Sequence, residues 1–296
     1  MMRFTFKKID AFATARSAGN PAGAVFLKEG QEISADDMQR IARELKGFVS
    51  EVGYVRPSDE ADFDLKYYSS EREVDFCGHA TVAIMYDLLS SSPSLKDRPL
   101  VTIKTNRGRL TVENRVVLED AVFISAPAPA FSGQKPARED IARGLNIHPD
   151  DIGSGYPLAV VNAGLETLIV PMKSLDTVLE MTPEIERARD LCARNGIDII
   201  TVFTEETSES IHAFRTRVFA PTFGYLEDPA TGSGNAAFGY YLLENGRWDG
   251  SCISLEQNGD LERPNIVKIE ARHDPAPRIL FGGGAVVRIE GEYVLT

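Results

Sequence analysis

Short runs in which apolar residues alternate with polar ones recur along this chain, and each predicts a strand. Residues 3–13 interleave Phe4, Phe6 and Ile9 with Lys7 and Lys8. GNPAG at 19–23 then reads as a turn and AVFL as a buried strand. SEVGYVRP, ADFDLKYYS and IDIITVFT read as further strands, and GGGAVVRIEGEYVLT as two short strands around Glu290 and Gly291. Helical spacing is clear in two places. In ISADDMQRIARELKGF, Met38, Ile41, Ala42 and Leu45 share one face, Ser34 and Asp37 form a capping box, and Gly47 can close the end. A second helix is predicted from Thr182, with Pro183 in its first turn, through Ile185, Ala188, Leu191 and Cys192 to Asn195-Gly196.

Two further stretches differ in kind. ATVAIMYDLL from Ala80 and AAFGYYLL from Ala236 are apolar nearly all round, the mark of helices buried inside a sheet. They belong to an internal repeat. EVDFCGHATVAIMYDLL (73–89) aligns without a gap on EDPATGSGNAAFGYYLL (227–243), 154 positions later. Glu73 falls on Glu227, Gly78 on Gly232, Ala83 on Ala237, Tyr86 on Tyr240, Leu88 on Leu242 and Leu89 on Leu243. The pattern therefore predicts an α+β protein of two similar domains, each wrapping strands around a central helix, rather than regular strand-helix alternation. The stretch SAPAPAFSGQKPARED (125–140) is the best linker. Expected domains are residues 1–124, completed by a returning strand at 285–296, and residues 125–284.

Length supports two cores: the chain has 296 residues. A net charge of −12 argues against a nucleic-acid partner. No apolar run is long enough to span a bilayer, and the first 20 residues place charges where a signal peptide needs its apolar core. A cytoplasmic protein with no membrane partner is expected. Three scattered cysteines, Cys77, Cys192 and Cys252, suggest free thiols, with neither a disulfide scaffold nor a structural metal.

If the two buried helices begin after Cys77-Gly78-His79 and Thr231-Gly232-Ser233, each start offers unpaired N–H groups and a positive dipole end to an anion. Glycine at 78, 232 and 234 allows close approach, and two such ends facing each other across a domain cleft would grip a small carboxylate. Acid candidates for proton transfer are Glu51, Asp75, Glu227 and Asp228. Glu51 lies inside an apolar strand, FVSEVGYV; facing a cleft, it would have its pKa raised by desolvation and could shuttle a proton. Asp10 reads as structural.

DAFATARSAGNPAGAVF, SEVGYV, EVDFCGHATVA, TRVFAP, EDPATGSGNAA and GGGAVVRIEG, in this order over essentially the whole chain, resemble the PhzF-like family named after a phenazine-biosynthesis isomerase. The resemblance implies the diaminopimelate epimerase-like fold: two domains, each a curved, barrel-like, mostly antiparallel sheet around a central helix, with the active site in the cleft between them. It implies an isomerase without metal or organic cofactor, in which Glu51 moves a proton within a small carboxylate-bearing substrate. By the same resemblance His79 and Asp228 join Glu51 in catalysis, while Asn20, Ser50, Gly78, Gly232 and Ser233 contact substrate. A homodimer is the family expectation. Here Val52 follows the glutamate where many relatives carry a hydroxyl residue, and Gly234-Asn235 follows Ser233 where others often carry different small residues.

Racemases of this fold use two cysteines on opposite substrate faces. Cys77 occupies the first position, but its counterpart in the repeat is Thr231, so a single-carboxylate isomerase fits better and Cys77 reads as a buried structural residue. An amino-acid racemase or epimerase using Cys77 with another acid, and a non-catalytic small-metabolite binder, remain the alternatives.

Overall fold

Strand formation follows the alternating pattern from the first residues. The computed structural model describes residues 1–273 and 276–296. It runs through β1 (Met2–Ala11), β2 (Asn20–Phe26), α1 (Ala35–Glu44), β3 (Glu51–Pro57), β4 (Phe63–Ser69), β5 (Glu73–Val74), α2 (Gly78–Ser91), β6 (Leu100–Thr105), β7 (Gly108–Arg115), α3 (Val116–Glu119) and β8 (Ala121–Ser125). Neighbouring strands pair antiparallel from β1 to β2, β3 to β4, β6 to β7 and β7 to β8, while β2–β3 and β4–β6 are parallel. Helix α1 makes the β2–β3 crossover, capped as predicted by the Ser34 hydroxyl, which accepts from the Asp37 N–H. It ends one turn short of the predicted stop, with Leu45 as C-cap; Gly47, at φ +80°, shapes the turn that follows.

Helix α2 buries Ala80, Thr81, Val82, Ala83, Ile84, Met85, Asp87 and Leu89, so its apolar residues do not fall on one stripe. Such a helix is stable only when strands cover it on several sides, and α2 lies against β1, β2, β3, β7 and β8. Each large apolar side chain buried this way contributes about 1.5–3 kcal/mol. The one acid among them, Asp87, is neutralised by Lys7 at 3.0 Å. Gly53 on β3 is required by the same packing, since a Cβ there would stand 2.3 Å from Ile84 Cδ1.

The chain continues with β9 (Ala130–Ser132), α4 (Arg138–Leu145), β10 (Ala159–Asn162), β11 (Glu166–Pro171), α5 (Leu175–Glu180), α6 (Ile185–Asn195), β12 (Ile199–Thr204), β13 (Phe214–Phe219), β14 (Glu227–Asp228), α7 (Gly232–Glu244), β15 (Ile253–Gln257), β16 (Asn265–His273) and β17 (Pro277–Gly283). Here too the pairing is antiparallel for β10–β11, β12–β13 and β15–β16 and parallel for β11–β12 and β13–β15. Helix α7 is buried from Gly234 to Leu242 and lies against β10, β11, β12 and β16. The last strand, β18 (Ala285–Leu295), pairs antiparallel along the whole of β1 and also touches α2.

Contacts divide the chain into Met1–Ser125 with Gly282–Thr296, and Ala126–Phe281. The α+β architecture stands, with three local corrections. The stretch 125–140 is not a structureless linker, because β9 and the start of α4 form within it. The helix predicted from Thr182 begins at Ile185, after the extended N-cap Glu184. The two short strands predicted around Glu290 and Gly291 are one continuous strand, since β1 pairs through Gly291 without interruption.

The two units repeat one topology in register. In the first, parallel pairing sets Ala22 opposite Glu51, and the Ser50 N–H donates to the Pro21 carbonyl. In the second, Thr167 stands opposite Ile199, and the Asp198 N–H donates to the Glu166 carbonyl. Both β2 and β11 follow a glycine at positive φ, Gly19 and Gly164. Asn20, Ser50 and Glu51 therefore correspond to Leu165, Asp198 and Ile199.

Candidate active site

In the first unit the crossover through α1 brings Ser50 and Glu51 beside the start of β2. The Ser50 hydroxyl donates to Asn20 Oδ1 at 3.3 Å, and Asn20 is fully buried. The chain reverses through β5 and enters α2 at Gly78, with Cys77 as an extended N-cap. The entry is held from below. The Thr81 hydroxyl donates to the Cys77 carbonyl at 2.7 Å and meets the Tyr67 hydroxyl at 2.6 Å.

This frame converges three chemically active groups. His79 Nε2 lies 3.2 Å from Glu51 Oε2, and the Cys77 thiol lies 3.8 Å from the same oxygen and 3.5 Å from His79 Nδ1. Glu51 and His79 retain 22% and 12% side-chain exposure, enough for a ligand to reach them without bulk solvation. Burial pushes the His79 pKa down to about 4, so the imidazole is neutral near pH 7. A neutral ring carrying its proton on Nε2 donates to the Glu51 carboxylate and presents Nδ1 to the thiol. Cys77 is buried as expected, yet it is not a mere packing residue: its sulfur borders both polar groups.

In the second unit the entry to α7 is built from amides. The Thr231 hydroxyl donates to Asp228 Oδ2. Gln257, fully buried at the end of β15, is the hub: its Oε1 accepts from the Thr231 N–H at 2.9 Å and from Asn235 Nδ2 at 2.7 Å. Its Nε2 donates to the Asp228 carbonyl at 2.9 Å and to the Thr231 hydroxyl at 3.1 Å. Asn265 donates to the Pro229 carbonyl at 2.7 Å. Gly232 is packed so closely that a Cβ would stand 2.3 Å from the Phe281 ring, and Ser233 is half-buried beside it.

The adjacent acids at 227 and 228 thus have separate fates. Glu227 forms a bidentate pair with Arg217, at 2.9 and 2.7 Å, and Arg217 also donates to the Val178 and Met181 carbonyls, so this acid is committed to structure. Asp228 is tied to the helix entry. Asp75 is exposed, and Asp10 is locked between Lys8 and Arg288.

The first unit gathers Asn20, Ser50, Glu51, Gly78 and His79, and the second gathers Asp228, Gly232 and Ser233. Sequence reasoning missed Gln257 and Asn235 as site residues: Asn235 is a lone amide among small and apolar residues, and Gln257, between Glu256 and Asn258, carries no signal of its own. Register comparison adds a chemical asymmetry. The counterpart of Glu51 is Ile199, packed with Val218, Ala220 and Leu165 in an apolar cluster. Cys77 and His79 correspond to Thr231 and Ser233, while Asp228 corresponds to Val74.

Known proteins resemble this chain in sequence and fold. The chain is 30% identical over 267 residues, 89% of each protein, to the uncharacterized isomerase YfhB of Bacillus subtilis. Its fold matches the crystal structure of the Bacillus anthracis phenazine biosynthesis protein of the PhzF family, with a TM-score of 0.88, 26% identity and 100% of both chains covered. A hydroxyproline epimerase from Agrobacterium vitis shares the fold at a TM-score of 0.60 and 12% identity, over 98% of this chain and 92% of that one. The family model for phenazine biosynthesis-like proteins, PhzC-PhzF, spans residues 9–291, and with it the repeated units and both helix entries: this chain belongs to the PhzF-like family of isomerases.

Proposed function

We propose that the protein is a cofactor-independent isomerase that shifts a proton within a small carboxylate-bearing substrate, with Glu51 as the single acid and base. The observation that carries this reading is the asymmetry at matched register. One unit holds a partly exposed carboxylate 3.2 Å from a neutral imidazole, and the other holds Ile199 in an apolar cluster. A lone carboxylate suits a reaction on one face: Glu51 removes a proton from carbon, holds it, and returns it to another carbon of the same conjugated system. His79 steadies the carboxylate through Nε2, and Asp228, fixed by Thr231, orients a polar substrate group. The helix entries at Gly78 and at Gly232-Ser233 offer N–H groups to substrate oxygens, and Asn20 and Ser50 set the position of Glu51.

The test is proton NMR in D2O on trans-2,3-dihydro-3-hydroxyanthranilate, with the wild type and with Glu51→Gln. Isomerisation by the wild type alone supports the assignment. Activity in the Gln variant rejects Glu51, and an inert wild type removes this substrate.

A second reading draws on the thiol, which lies 3.5 Å from His79 Nδ1 and 3.8 Å from Glu51. If Cys77 carries a proton in a racemisation, Cys77→Ser abolishes activity; unchanged rates in that variant exclude it.

A further inference from the structure

We propose that Glu51, Cys77 and His79 also form a binding site for a soft divalent cation of the zinc class, and that filling it switches the protein off. The binding claim stands on geometry alone, while the inhibition rests on the role proposed above for Glu51. The donor atoms Glu51 Oε2, Cys77 Sγ and His79 Nε2 form a triangle with edges of 3.2, 3.8 and 3.9 Å. In a tetrahedral zinc site, bonds of about 2.3 Å to sulfur and about 2.0–2.1 Å to nitrogen and oxygen place sulfur about 3.5 Å from either light donor, and those two about 3.3 Å apart. Every edge is within about 0.4 Å of that figure. Because the sulfur lies 3.5 Å from His79 Nδ1 and 3.9 Å from Nε2, it stands beside the ring, and the imidazole must turn for its Nε2 lone pair to meet the ion.

The surroundings favour such a site. Cys77 and His79 are adjacent to the fixed start of α2, Glu51 opens β3, and the buried Thr81–Tyr67 pair anchors the Cys77 carbonyl. Three protein ligands leave the fourth position open, as in sites where zinc meets a small molecule. The positive end of α2, worth about half a charge, opposes a cation. A thiolate and a carboxylate supply two negative charges and outweigh it; as the metal binds, the Cys77 proton leaves to solvent and the imidazole proton moves from Nε2 to Nδ1, which frees the Nε2 lone pair. Thiolate with imidazole selects zinc, cobalt or cadmium over magnesium and calcium. The second unit cannot do the same, because Ile199, Thr231 and Ser233 stand at the matching positions. Once bound, the cation occupies the Glu51 lone pair that would accept the substrate proton.

Titrating the full-length protein with Co(II) while recording the ultraviolet-visible spectrum tests the site without relying on turnover. One equivalent is expected to develop a thiolate-to-cobalt charge-transfer band and tetrahedral visible bands, erased by Zn(II) and untouched by Mg(II). Cys252→Ser keeps the spectrum, Cys77→Ser loses the charge-transfer band, and Glu51→Gln binds about ten-fold more weakly or worse. If Cys77→Ser does not fold, His79→Asn replaces it, with loss of the tetrahedral bands expected. No band in the wild type, a band that survives Cys77→Ser or vanishes only with Cys252→Ser, or equal displacement by Mg(II) overturns the proposal. A protein that binds Co(II) in this way but isomerises nothing refutes the catalytic reading and leaves the metal site standing.

Discussion

Replacing Gln257 by Leu, close to it in size, removes the hub of the α7 entry without opening a large cavity. Four hydrogen bonds disappear: two accepted by Oε1, from the Thr231 N–H and Asn235, and two donated by Nε2, to the Asp228 carbonyl and the Thr231 hydroxyl. Asn235 keeps its bond to the Thr231 carbonyl, and the Thr231 hydroxyl keeps Asp228, so these two groups lose only part of their pairing. At about 1 kcal/mol per neutral bond the loss is about 4 kcal/mol, and the apolar leucine atoms return part of it. The expected destabilisation is about 3 kcal/mol, or about 6–12 °C in the melting temperature of a domain of this size. Trp248, the only tryptophan in the chain, lies in the same unit and reports urea unfolding by its fluorescence. The slope of the transition should be unchanged while its midpoint falls. A loss below about 1 kcal/mol would refute the hub assignment and its link to the placement of Asp228.

Gly53→Ala should cost about 1–3 kcal/mol by forcing a Cβ against Ile84 Cδ1, and adding Ile84→Val, which deletes that atom, should recover most of it; a double variant as unstable as the sum of the singles refutes the contact. Burial alone would raise the pKa of Glu256, but hydrogen bonds from the Ser208 backbone, His212, the Ser208 hydroxyl and Arg215 outweigh it and hold the group at about 2. Because the folded pKa is depressed, this stabilisation is fully present above the unfolded value of about 4.3 and is lost as pH falls through about 2, about 3 kcal/mol in all. Urea melts from pH 6 downward should therefore show the gap between wild type and Glu256→Gln narrowing on acidification, and a constant gap would refute the linkage.

Much of this protein was legible in one dimension. The strands β1 and β4 follow from alternation, β3 and β12 from short runs rich in β-branched and aromatic residues, α1 from its amphipathic face and its Ser34 cap, and the duplication from matched small residues ahead of two all-apolar helices. Those signals are local: side-chain periodicity and capping depend on neighbours a few residues away. Glu51 stood out because an acid inside an apolar strand needs an explanation.

Other features have no local signature. The short helices α4 and α5 form where the sequence offers little more than one turn of pattern, and β18 stays unbroken through Gly291 because β1 supplies a full partner edge. Cys77 reads as a packing residue in the chain, and only folding brings its sulfur against Glu51, 26 residues away, and His79. Gln257 is likewise an ordinary strand residue until its amide meets a loop 26 residues earlier. The sequence by itself determined the periodicities, the repeat and the residue types at the two helix entries. Tertiary structure decided which of those residues meet, because register and crossover connections, set by core packing over the whole chain, choose the partners of a polar side chain that local pattern leaves open.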